Sequence, residues 1–230
     1  MNRTALIIGS SDGIGLGMSK RLLDGGWQVT GVSRSGSKIE HTEYVHHVCD
    51  VTDRKYTGVL KEIVKKEGVP DLCIYCPGIG ELLDLDDMDT DLRTFDVNLT
   101  GMIRTVSIVI PEMEEKGAGH FVGLSSFADA MLSYDSPAYH ASKSGFSAYL
   151  ESMSLALEDT PVKITNVRFG FVNTKMAKGD VKPFMMPVEK AVDHLMKCIK
   201  KKPARYSAPK VVIPFIRLRR KMLNIKMLLK

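Results

Sequence analysis

"TALIIGSSDGIGLGMSKRLLDGG" fills residues 4–26, and its three parts ask different things of the backbone. Residues 4–9 are a short apolar run ending in glycine, the pattern of a buried parallel strand. Residues 15–26 have helical spacing and close on Gly25 and Gly26, which suit a helix C-terminus. Between them, "GSSDGIGLG" (9–17) spaces Gly9, Gly13 and Gly15 as G-x-x-x-G-x-G. Glycine there permits a tight turn, lets backbone N–H groups approach a pyrophosphate, and lets the helix pack close to the sheet. The helix N-terminus adds unpaired N–H groups and a partial positive charge. Strand, glycine turn and helix in this order point to a nucleotide-binding α/β unit.

The same alternation continues. Strands are expected at 27–34, 44–53, 70–78, 119–126 and 162–170, with helices at 54–68, 92–117, 137–159 and 187–202. No linker-like composition, repeat or low-complexity stretch interrupts them. The expected fold class is therefore α/β, a single doubly wound parallel sheet with helices on both faces. The chain has 230 residues, 44% hydrophobic and 26% charged, an ordinary globular composition. Its four cysteines do not suggest a disulfide framework, and no apolar run approaches the ~20 residues of a membrane span. No leader-like segment precedes the first strand, so a reducing, cytoplasmic setting is expected.

The end of the second strand bears on the nucleotide. A carboxylate there would bind the adenosine ribose hydroxyls and repel a 2′-phosphate. This chain instead has Ser33, Arg34 and Ser35, a guanidinium between two hydroxyls, which suits a phosphate and favours NADP(H) over NAD(H). Asp50, at the end of the third strand, is placed to meet the adenine amino group.

Further along stand "FDVNLTG" (95–101), "VGLSSFAD" (122–129) and "YHASK" (139–143). Tyr139 and Lys143, four apart, share one helix face. Together with the glycine turn, these motifs resemble the short-chain dehydrogenase/reductase family, from the first strand to about residue 205. The resemblance implies a Rossmann-like dinucleotide-binding domain and an oxidoreductase acting on a small-molecule carbonyl or alcohol. It implies Asn98, Ser126, Tyr139 and Lys143 as the catalytic set. Ser126, thirteen residues before the tyrosine, fits the family's serine better than Ser125. By the same resemblance Asn98 stations a water that links Lys143 to solvent. Cofactor contacts fall on Gly9, Ser11, Gly13, Ile14, Gly15, Ser33, Arg34, Asp50, Val51, Gly78, Tyr139, Lys143, Gly170, Val172 and Thr174. The last two would meet the nicotinamide carboxamide. The chain departs from the family pattern at Ile8, at "YCPG" (75–78) and at Phe169 and Gly170.

The residue types suit the chemistry. A free tyrosine titrates near pH ~10. An ammonium one turn away, with the positive ring of an oxidised nicotinamide, would favour phenolate. Lys143 could also hold the nicotinamide ribose, and Ser126 could fix the substrate oxygen beside the phenol. Phe127, Met131, Phe171, Met176 and Phe184 suggest an apolar cleft for a lipophilic ketone, aldehyde or alcohol. The competing reading is a non-catalytic dinucleotide sensor or scaffold that works through its tail. Cys73 and Cys76 spell C-x-x-C, but residues three apart on a strand point to opposite faces, so no metal or redox pair is expected.

Residues 200–230 carry eleven basic side chains and no acidic one; against +5 for the whole chain, residues 1–199 carry −6. The division is accordingly a catalytic domain at 1–209 and a basic amphipathic tail at 210–230. That tail suits an anionic membrane surface, an acidic partner or a second copy of the chain. Nucleic acid is not expected. By resemblance, a homodimer or homotetramer would form through the two long helices.

Overall fold

Valine, isoleucine and leucine dominate the short apolar runs, and each run is a strand in the computed structural model, which describes residues 3–177 and 184–228. The strands are β1 (Thr4–Ile8), β2 (Gln28–Ser33), β3 (Tyr44–Val48), β4 (Leu72–Tyr75), β5 (Gly119–Ser126), β6 (Val162–Phe169) and β7 (Arg205–Ala208). They form one sheet in the order β3-β2-β1-β4-β5-β6-β7, every pairing parallel. Strand order reverses between β1 and β4, which opens a crevice at the carboxyl ends of the strands. The flanking helices are α1 (Gly13–Asp24), α2 (Tyr56–Glu67), α3 (Asp89–Phe95), α4 (Gly101–Lys116), α5 (Pro137–Ala156) and α6 (Val188–Lys201). No described helix is long and apolar enough to cross a membrane.

Alternation along each strand feeds two cores. Leu6 and Ile8 of β1 join Leu60 and Ile63 of α2, Val106 of α4, and Phe146 and Leu150 of α5 on one face. Ala5 and Ile7 join Met18 and Leu22 of α1 and Leu195 and Cys198 of α6 on the other. The same rule separates the C-x-x-C pair: Cys73 lies in the first core, and Cys76 packs against the second.

The element boundaries differ from the sequence expectations where side chains intervene. β3 stops at Val48 rather than running to 53, because Asp50 Oδ1 accepts from the Thr52 backbone N–H (3.0 Å) and hydroxyl (2.9 Å) and folds a turn. β4 stops at Tyr75, two residues before Pro77. The helix expected from 92 begins at Asp89, and a π turn, Asp96–Thr100, interrupts it around Asn98. β7 has no counterpart among the sequence expectations; it adds a seventh strand beside β6. The stretch after it is a short 3-10 turn, Lys210–Val212, and then helix α7 (Ile213–Leu228).

One buried polar residue makes the fold sensitive to acid. His120 of β5 is 2% exposed, with Nε2 2.8 Å from the Thr165 hydroxyl, and burial pushes its pKa down to about 4. The unfolded chain, with an ordinary histidine near pH ~6.5, binds the extra proton first, so stability falls as pH drops through that window. Between pH 7.5 and 5 the loss from this residue should be about 2 kcal/mol. Urea unfolding at the two pH values checks it, and the His120→Gln protein should lack that part of the dependence.

Candidate active site

β5 delivers two serines to the mouth of the crevice, and the pleat turns them in opposite directions. Ser125 is buried and shares a 2.7 Å hydrogen bond with the Ser147 hydroxyl of α5. Ser126 turns into the cleft, where its hydroxyl acts on the Tyr139 phenol and lowers its pKa. Its hydroxyl also accepts from the Ala128 N–H at 3.2 Å, capping the 3-10 turn Phe127–Ala130. Pro137 opens α5, so Tyr139 stands in the first turn and Lys143 one turn further in.

Lys143 is 4% exposed. Its Nζ donates to the Leu124 carbonyl at 2.9 Å and lies 4.9 Å from the centre of the Phe146 ring. Burial lowers its pKa to about 8, against the opposing pull of Asp129 and Cys76. The half-buried Tyr139 phenol is pushed up by burial, an effect only partly countered by the Ser126 hydroxyl. Burial is the dominant influence and keeps the phenol protonated, whereas the expected shift towards phenolate belongs to the site with an oxidised nicotinamide beside Lys143.

The other sequence-named residues gather around this pair. Asn98 is fully buried: Oδ1 accepts from the Ile79 N–H (2.8 Å), and Nδ2 donates to the Ile79 carbonyl (2.9 Å) and the Ser142 hydroxyl (3.0 Å). Its side chain therefore braces the loop after β4 against α5. That loop brings Gly78 over the lysine, since a Cβ there would lie 3.4 Å from Lys143 Nζ and 3.8 Å from Met176 Sδ. Val172 and Thr174 follow β6, and the Thr174 methyl would be 3.2 Å from a Cβ at Gly13. Gly170 donates its N–H to the Ala208 carbonyl of β7 at 3.0 Å.

At the nucleotide end, Gly9 and Gly13 have φ of +82° and +53°, and a Cβ on Gly15 would stand 2.1 Å from the Gly9 carbonyl. The turn thus has the conformation and the bare backbone that a pyrophosphate requires. Ile14 and Ser11 stand half-buried in it, and the Ser11 hydroxyl meets that of Ser35 at 3.2 Å. Ser33 donates to the Ser35 carbonyl at 2.7 Å, while Arg34 is exposed and has no ion pair among the described residues. Val51 is buried, and the Asp50 carboxylate is held by Thr52 and lies 3.7 Å from Arg93.

Three features escaped the sequence. His46 ties the end of β2 to the glycine turn, with Nε2 3.0 Å from the Ser35 carbonyl and Nδ1 2.9 Å from the Tyr44 hydroxyl; in sequence it is only part of "HHVCD". Asp129 receives two 2.6 Å bonds from the Arg168 guanidinium beneath the cleft. A Cβ on Gly80 would come 2.8 Å from the Tyr139 ring. No local pattern marks either of the last two. Of the pocket residues, Phe171, Met176 and Phe184 are exposed and Met131 is half-buried. Phe127 is a correction: it is 3% exposed with the Arg168 guanidinium 5.6 Å above its ring, so it supports the loop from below. Part of the expected substrate loop, residues 178–183, lies outside the described residues.

The sequence pattern of the family described as short chain dehydrogenase matches residues 3–183, and the chain belongs to that family. It is 29% identical over 225 residues to an uncharacterized oxidoreductase of Myxococcus xanthus, covering 90% of this chain and 87% of that protein. It is 25% identical to the human dehydrogenase/reductase SDR family member 4, over 77% of this chain and 68% of that one. Among solved structures, a short-chain dehydrogenase from Streptomyces avermitilis superposes with a TM-score of 0.85 at 18% identity, covering 99% and 96% of the two chains. One from Burkholderia cenocepacia, solved in complex with NADP, also reaches 0.85, at 19% identity and 99% and 98% coverage. The fold is thus that of dinucleotide-dependent oxidoreductases.

The close contact at Gly80 yields a test. Alanine there must displace the Tyr139 ring, and a displacement of about 1 Å should lower kcat by up to about a hundredfold. Steady-state assay of Gly80→Ala, with dinucleotide binding and Tm measured alongside, should show the loss in kcat alone.

Proposed function

We propose that the chain interconverts a lipophilic ketone or aldehyde and its alcohol, with NADP(H) as the dinucleotide. The observation that carries this reading is the Tyr139 phenol, raised by burial and set beside the Ser126 hydroxyl at an apolar mouth. A phenol in that state is protonated at neutral pH and suited to give its proton to a developing alkoxide. A nicotinamide bound over Gly78 would supply the hydride. Ser126 then donates a hydrogen bond to the substrate oxygen, and Tyr139 protonates that oxygen as the carbonyl carbon is reduced. Lys143 holds a positive charge below the pair, with hydrogen-bonding capacity left for the nicotinamide ribose. Asn98 keeps the Gly78 loop and α5 in register. Exposed Phe171, Met176 and Phe184 at the mouth favour an apolar substrate.

The preference for NADP(H) rests on Arg34, exposed and free of acidic partners among the described residues, between the hydroxyls of Ser33 and Ser35. The Burkholderia relative solved with NADP supports the same choice. Isothermal titration should show Arg34→Ala weakening NADP+ binding by roughly ten- to a hundredfold, the value of a charge-assisted contact, with NAD+ affinity within about twofold. Equal losses for both dinucleotides would remove the preference.

The substrate class is tested with a panel of carbonyls under NADPH and NADH; turnover confined to small polar compounds would overturn it. The pH profile follows from Lys143. Its ammonium is lost as pH rises through about 8, so kcat/KM for reduction should decline above that value.

A further inference from the structure

Helix α7 carries two apolar faces. Through Ile216, 6% exposed, it lies against the chain, touching the turn Phe127–Ala130 that follows Ser126. Away from that contact, Phe215, Leu218, Met222 and Ile225 recur at a 3,4,3 spacing and are 64%, 59%, 63% and 48% exposed. Exposed Arg219 and Lys221 accompany this stripe, and residues 200–230 contain no acid. A seam of alternating three- and four-residue steps that stays in solvent is the pattern of a helix awaiting a partner surface.

A second unpartnered surface in the same chain has the opposite charge. In the segment before α4, Leu82, Leu85, Met88 and Leu92 are 72%, 79%, 47% and 65% exposed. Interleaved among them are Asp84, Asp86, Asp87 and Asp89, all exposed and none paired with a cation among the described residues. The Leu83 N–H donates to the Asp135 carbonyl at 2.7 Å, which ties this segment beside the start of α5. The two surfaces adjoin neighbouring parts of the site, the turn after Ser126 and the start of α5, and since both remain exposed, neither covers the other.

We propose that the α7 stripe of one copy of the chain docks on the acidic, leucine-rich segment at 82–92 of a second copy, and reciprocally. The two contacts are then related by a two-fold axis, which closes the assembly. Pairing α7 with itself would set its cations against each other with no acid to offset them. An anionic lipid surface would attract α7 but repel the aspartates of the other surface. The acidic segment of a second copy satisfies the leucines and both charges at once. In the paired form the partner's α7 lies near the start of α5.

The pairing does not depend on which dinucleotide or carbonyl the site takes. Two chains, one carrying Leu218→Cys and the other Met88→Cys, should form a disulfide-linked pair when mixed under mild oxidation. Native Cys49, Cys73 and Cys198 are buried and Cys76 is half-buried, so with Cys76→Ser as the shared background each variant alone should give far less. Sedimentation should show Arg219→Glu/Lys221→Glu and Asp86→Lys/Asp87→Lys each raising the dissociation constant about tenfold, the four-substitution chain recovering, and the wild-type contact weakening with salt. No cross-link in the mixture, or Leu218→Cys cross-linking equally well with itself, would overturn the proposal. So would pelleting of the wild-type chain with phosphatidylserine vesicles that Arg219→Glu/Lys221→Glu abolishes, since lipid would then be the occupant.

Discussion

The Lys143 ammonium is held under the cleft by the Leu124 carbonyl, the face of the Phe146 ring and the more distant charge of Asp129. A buried charge without partners is costly, so the surrounding chain is constrained to supply them. That single requirement fixes α5 across the end of β5. Once α5 lies there, Ser126 and Tyr139 must face each other, and Ser125 and Ser147 must pair behind them. Asn98 extends the constraint to the loop after β4, binding Ile79 with both ends of its amide and Ser142 with one. The π turn around Asn98 is the local price of aiming that amide inward.

A second anchorage lies under the first. The Asp129–Arg168 pair has side chains only 5% and 14% exposed and joins the turn after β5 to β6. Ser147 and Ser144 of α5 also donate to Asp129, the latter to its carbonyl at 2.6 Å. Removing one member would strand the other in the interior, so this pair acts on the catalytic geometry without touching substrate. It also seats the turn on which α7 rests, so the tail and the chemical centre share one support.

Much of this was legible in the sequence, for physical reasons that differ by element. Strands buried on both faces read as continuous apolar runs, so β1, β5 and β6 were placed closely. The glycine turn was legible because backbone approach to a phosphate leaves few alternatives to glycine. β7 was not: "RYSA" is short and partly polar, and it is a strand only because β6 offers a free edge. Phe127 looked like a pocket residue because sequence cannot show that Arg168 lies over it. The raised Tyr139 phenol was likewise hidden, since it depends on how far the fold shuts the ring away from water. α7 read as a basic amphipathic tail, but not as a helix with two apolar faces, one of them already taken.

The central claim is that the Tyr139 hydroxyl supplies the proton while the rest of the site holds cofactor and substrate. The most direct measurement is on the Tyr139→Phe protein, comparing NADPH affinity and single-turnover reduction of its best carbonyl substrate with wild type. Loss of reduction by at least about a hundredfold at unchanged NADPH affinity is the expected result. Reduction at a near wild-type rate would contradict it.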